Sequence, residues 1–148
     1  MVPPPELTQL RQDYIEASGN LELIESLSQD LMSVSKGDKN IYVAYKGAVL
    51  AMKAKYTKGK ERKELFKEGA ELIEFAVASD SDNIEIRVVR LSIQENVPKI
   101  LRYHSSISED KEFIKKNYQL VTSKSLKNFI KGYVLQSDGF TTAEKDLF

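Results

Sequence analysis

The stretch Ala76–Gln94, AVASDSDNIEIRVVRLSIQ, decides how this chain is read. An alanine-rich segment runs into Asp80, Ser81, Asp82 and Asn83, whose short polar side chains compete for backbone groups and favour turns over helix. A second apolar-periodic segment begins at once with Ile84. So short a polar turn predicts two helices lying antiparallel and side by side. The fold class expected is therefore all-α, stacked antiparallel helical hairpins, with about seven helices.

The helix after the turn, Asn83 to about Asn96, carries two apolar sectors when its residues are spaced at about 100°. Ile84, Val88 and Leu91 share one sector, and Ile86, Val89, Ile93 and Val97 share another, nearly opposite. A helix apolar on two sides is expected to be sandwiched between neighbours. Between the sectors Arg87, Arg90 and Gln94 line one narrow polar stripe, the best single candidate for function in the sequence.

Working outward, Pro3, Pro4 and Pro5 form a short extended lead. A first helix is expected from about Glu6 to Ser18, with Leu7, Leu10, Tyr14 and Ala17 inward and Gly19-Asn20 as its exit. A second runs from Leu21 to Ser35 on Ile24, Leu27 and Leu31. A third runs from Lys39 to Tyr56 on Ile41, Tyr45, Ala48 and Met52, and a fourth from Lys60 to Ser79 on Leu65, Gly69, Leu72 and Ala76. Pro98 stops or kinks the fifth. Ser106 with Glu109 has the capping-box spacing for a sixth helix, which carries Phe113, Ile114, Tyr118 and Val121. A seventh holds Leu126, Phe129, Ile130 and Tyr133, and Thr141 with Glu144 marks a short last one. No linker or low-complexity tract interrupts the chain, so residues 1–148 are expected to make a single α-helical domain.

The composition bounds the chemistry. There are 148 residues, 41% hydrophobic and 30% charged, which suits an ordered globular chain. The absence of cysteine removes thiol catalysis, zinc ribbons and disulfide frameworks. No apolar run is long enough to span a bilayer, so no membrane insertion is expected. MVPPPELTQL lacks the basic start and apolar stretch of a leader, and as given the chain reads as cytoplasmic, or exported if a leader has been removed. The net charge is zero but unevenly spread: residues 1–37 hold six acids and two bases, residues 98–135 eight bases and three acids. A basic patch on the C-terminal half is the consequence.

The third and fourth helices resemble the tetratricopeptide-repeat superfamily. Gly47 stands at the small-residue place of the repeat's first helix, with Ala44, Ala48 and Ala51 around it, and Gly69 and Ala76 stand at the small-residue places of its second. Small side chains there let paired helices approach closely. The resemblance runs from Ile41 to Asn83, with Ser81 where the repeat has proline and Lys55–Lys63 as an insertion into the repeat unit. The segment Glu85 to Pro98 is also similar to one in a group of bacterial tetratricopeptide-like proteins whose function is unassigned. What the resemblance implies is a stacked-hairpin fold of the kind that binds other proteins or peptides.

On this reading the protein is not an enzyme and needs no cofactor. It binds a protein or peptide partner in a groove between helices, with Arg87, Arg90 and Gln94 as polar contacts and Tyr45 and Lys46 as neighbours. The alternative is a small anionic-ligand binder or enzyme using the Arg87/Arg90 stripe, since guanidinium suits bidentate anion binding. Against both stands a purely structural role: Glu71 and Glu74 of the preceding helix lie at the right height to pair with the arginines. Lys46, Lys53, Lys55, Lys58, Lys60, Arg62 and Lys63, interleaved with Tyr42, Tyr45 and Tyr56, form a basic stretch of the kind that holds single-stranded nucleic acid. Neutral net charge and core-like tyrosine spacing favour a solvated face instead, and nucleic acid is not expected as a partner. His104 has no second histidine or cysteine with which to share a metal. Glu71 with Glu74, and Glu109 with Asp110 and Glu112, read as helix-surface and first-turn acids.

Overall fold

The computed structural model describes residues 3–148, and among these the ordered elements are all helical. They are α1 (Leu7–Glu16), α2 (Leu21–Asp30), α3 (Asn40–Ala54), α4 (Gly59–Ser79), α5 (Ile84–Asn96), α6 (Ile107–Asn117), α7 (Lys124–Gln136) and α8 (Thr142–Lys145). Short 3₁₀ turns at Lys99–Leu101 and Tyr118–Leu120 flank α6. The all-α reading stands. The chain divides into two compact units, one ending at Asp82 and the other Asn83–Phe148. The polar turn of the Ala76–Gln94 stretch is thus where one unit passes into the next. The hairpin partner of α4 is α3, and that of α5 is α6.

In the first unit α3 and α4 meet at backbone distance. A β-carbon built on Gly47 would lie 2.5 Å from the Gly69 carbonyl oxygen, and one on Gly69 would lie 2.5 Å from that of Gly47. Only glycine at both places permits this approach, because any side chain would have to push the helices apart. Around the contact Ala44, Ala48, Ala51, Ile73 and Ala76 are buried. Leu10, Tyr14, Ile24, Leu27 and Leu31 bring α1 and α2 onto the same core. Tyr14 meets Tyr45 edge-on, with centroids 5.2 Å apart at 73°, the arrangement aromatic quadrupoles prefer.

Helix α2 ends earlier than its apolar pattern suggests, with Leu31 as its C-cap instead of continuing to Ser35. The reason lies on α3. Lys46 Nζ donates to the Met32 carbonyl at 3.0 Å and the Val34 carbonyl at 2.7 Å, satisfying oxygens just past the helix end and holding the chain in its turn. Arg62 does the same for α3, donating from Nε to Ala54 and Thr57 carbonyls at 3.2 and 2.8 Å.

In the second unit every residue from Ile84 to Gln94 is buried, as two apolar sectors imply. Ile114, Phe129, Ile130, Val134 and Phe140 are buried with them. The last helix has the capping box its sequence announces: Glu144 N–H donates to Thr141 Oγ1 at 3.0 Å and Thr141 N–H to Glu144 Oε1 at 2.9 Å. The matching pattern at Ser106 and Glu109 does not form a box. Ser106 N–H donates to Gln94 Oε1 at 2.9 Å, and Glu109 turns to Arg87, so both halves serve the α5–α6 contact instead of the helix end.

Candidate functional site

The stripe Arg87–Arg90–Gln94 converges on one carboxylate, that of Asp110 on α6, which is fully buried. Arg90 grips it in the bidentate fork geometry, Nε to Oδ2 at 2.9 Å and Nη2 to Oδ1 at 2.7 Å. Arg87 Nη1 reaches Asp110 Oδ1 at 3.2 Å and Glu109 Oε1 at 2.9 Å, with its guanidinium stacked on Phe113 at 4.6 Å. Gln94 Nε2 donates to Asp110 Oδ2 at 2.9 Å while its carbonyl oxygen takes the Ser106 N–H. A buried carboxylate is tolerated only when paired and hydrogen-bonded, and this one has four donors. Two arginines against Asp110 and Glu109 leave the cluster neutral.

The sequence reading looks to Glu71 and Glu74 of the helix before α5 as partners for the arginines; Asp110 and Glu109 of the helix after it supply two. Asp110, read there as a first-turn surface acid, is the centre of the network. One signal marks it: it shares the apolar stripe of Ile107, Ile114 and Tyr118 at helical spacing, the wrong place for a solvated acid. Arg87, Arg90 and Gln94 are 7, 4 and 2% exposed, so they present little surface to any partner.

A second polar cluster in this unit surrounds Glu95. Its Oε1 accepts from Ser137 Oγ at 2.8 Å and from the Tyr133 hydroxyl, and Gly139 N–H donates to Ser137 Oγ at 3.0 Å, so the end of α5 is tied to the end of α7. His104 Nε2 lies 3.0 Å from the Val97 carbonyl oxygen and closes the α5–α6 loop. Over α6, Glu144 sits between Lys115 Nζ at 2.7 Å and Lys111 Nζ at 3.4 Å. The Lys115 hydrogen bond, joined by the Thr141 N–H, holds the Glu144 carboxyl at a pKa of about 2. Hydrogen bonds to Glu112 and then Glu144 raise that of Lys115.

Of the two remaining residues singled out in the sequence, Tyr45 is fully buried against Tyr14. Lys46 alone borders an open feature. A shallow groove of about 180 Å³ runs between α2, α3 and α4, lined by Ser28, Leu31, Met32, Lys46, Val49, Leu50 and Glu68. Leu31 and Val49 form its buried floor, and Met32 is 65% exposed at its edge. The Lys46 ammonium points at the carbonyls of Met32 and Val34, which leaves Glu68, exposed on α4, as an outward-facing charge of the lining. Met32 escapes a sequence reading because it lies inside the stretch expected to continue α2 as helix.

The basic stretch is spread over capping and solvent roles: Arg62 on the α3 terminus, Lys60 paired to Glu64 at 3.8 Å, and Lys55, Lys58 and Lys63 exposed. Tyr42 donates its hydroxyl to the Pro5 carbonyl at 3.0 Å. Among the described residues no three His, Asp or Glu side chains form a metal-binding group, and no helix is long and apolar enough to cross a membrane. No family model matches the chain, and no curated protein and no solved structure matches it.

Proposed function

We propose that this protein is a non-enzymatic helical module that binds a protein or peptide segment in the groove between α2, α3 and α4, and that its α3–α4 pair is tetratricopeptide-like. The observation that carries the reading is Met32, a flexible, polarizable side chain 65% exposed beside an apolar floor of Leu31 and Val49. Methionine at the lip of an apolar groove adapts to a partner's side chains without a fixed shape of its own. The close α3–α4 approach through Gly47 and Gly69 supports the likeness to the repeat, because it supplies the helix spacing the repeat's small residues serve.

The alternative, an anionic ligand held by Arg87 and Arg90, has lost its main support. Both guanidiniums already bind Asp110, and displacing a buried, four-donor carboxylate with an external anion would leave Asp110 charged and unpaired. The test is affinity capture from native lysate with the wild type, Met32→Asp/Leu50→Asp, and Ile15→Asp as an exposed apolar control outside the groove lining. The expected result is loss of one or more specific partners with the groove variant alone. A folded groove variant that retains the wild-type set removes the groove from recognition.

A further inference from the structure

The α5–α6 loop carries the most exposed large apolar side chain among the described residues, Ile100, at 85%. Several local features hold it there. Pro98 opens the 3₁₀ turn, Arg102 closes it in the left-handed region at φ 53°, and the His104–Val97 contact ties the loop's ends. A non-glycine residue in that region is sterically disfavoured and persists only where its surroundings fix it. Lys99 and Arg102 flank the isoleucine, both exposed, and no acid occurs from Pro98 to Ser108. The loop is thus a braced apolar knob with a cation on either side.

The groove of the first unit has the complementary character. Its apolar floor is bordered by Glu68 of α4, and α2, which supplies Ser28, carries Glu22, Glu25 and Asp30 with no base between Leu21 and Asp30. Glu25 lies three residues before Ser28, hence on the same helix face. The one lysine in the lining, Lys46, is committed to two carbonyls. The same complementarity appears at larger scale in the acidic residues 1–37 and the basic residues 98–135.

We infer that the partner of the groove includes a second copy of this chain, whose Lys99–Arg102 loop inserts Ile100 beside Met32 and sets its two cations against Glu68 and the acids of α2. The inference rests on the groove reading above and gives it an occupant. The contact is head-to-tail, so a pair of copies keeps one free loop and one free groove between them. An interface this small is weak and salt-sensitive.

The test is sedimentation equilibrium of the full chain from about 10 µM to about 1 mM, where weak interfaces are populated. The expected mass rises with concentration above the 16.8 kDa monomer and falls back when salt is added. Ile100→Asp and Met32→Asp each weaken association at least about tenfold. Both positions are exposed, and circular dichroism checks that each variant is folded; Ile100→Ser and Met32→Ser replace any variant that is not. Mixing the two variants restores association but stops at a one-to-one dimer, because the first keeps its groove and the second its loop. A monomer at every concentration overturns the inference, as does self-association that survives in either single variant or a mixture that stays monomeric. Those outcomes leave the groove open to foreign partners. That reading falls only if the groove variant captures an unchanged partner set from lysate.

Discussion

Gly47 on α3 and Gly69 on α4 face each other so closely that a β-carbon on either would stand 2.5 Å from the other's carbonyl oxygen. This contact fixes the spacing of the first unit's central hairpin and so the width of the groove beside it. Gly47→Ala or Gly69→Ala is expected to destabilise the protein by about 1–3 kcal/mol, because backbone on both sides must move. Gly132, in α7, has open space where a β-carbon would stand, with nothing within 4 Å. Gly132→Ala is expected to stabilise by about 0.5–1 kcal/mol through helix propensity. Urea unfolding of the three variants checks both signs.

Asp110 provides a second test. Asp110→Ala leaves two arginines buried without their shared carboxylate and is expected to cost about 3–5 kcal/mol. Glu109→Ala, at a side chain 64% exposed, is expected to cost less than about 1 kcal/mol although it contacts the same Arg87. Equal losses in thermal unfolding would mean that the buried carboxylate is not the centre of the cluster.

Lys46→Ala removes the two donors that satisfy the Met32 and Val34 carbonyls and is expected to destabilise by about 1–2 kcal/mol. The loss should be local to the end of α2. Hydrogen exchange read residue by residue would show faster exchange there and little change in α5 and α6.

Glu144 confers an acid limit on the docking of α8. Its carboxyl titrates at about 2 in the folded chain against 4.5 ordinarily, so the unfolded state takes up the proton first as pH falls. The stabilisation is fully present above pH 4.5 and is lost as pH falls towards about 2. For a partly exposed pair it amounts to about 1–2 kcal/mol. Lys115→Ala, which removes the strongest donor to Glu144, should flatten the stability–pH curve over that window, as urea midpoints taken between about pH 2 and 6 would show.

What the sequence made legible was local. Gly47 on α3 and Gly69 and Ala76 on α4 do pack their helices, and the Thr141–Glu144 capping box forms as its spacing announces even though Lys111 and Lys115 also reach the Glu144 carboxylate. What stayed hidden depended on partners far along the chain. The Ser106–Glu109 box is drawn apart by Gln94 and Arg87, and α2 stops just before the carbonyls that Lys46 of α3 holds. Asp110 binds Arg90 across 20 residues, a distance at which helix periodicity carries no information. The arginine stripe was visible as a stripe, but its engagement with α6 was not.

That engagement is the central claim: the stripe is a closed structural clamp, which is why the proposed recognition is placed in the groove. The most direct measurement is the side-chain ¹H–¹⁵N spectrum of the arginines during titration with inorganic phosphate. Arg90 Nε–H, bonded to Asp110 at 2.9 Å and buried, should be protected from solvent exchange and should not move as phosphate is added. A saturable phosphate-dependent shift of Arg90 Nε–H, or its rapid exchange with water, would contradict the account.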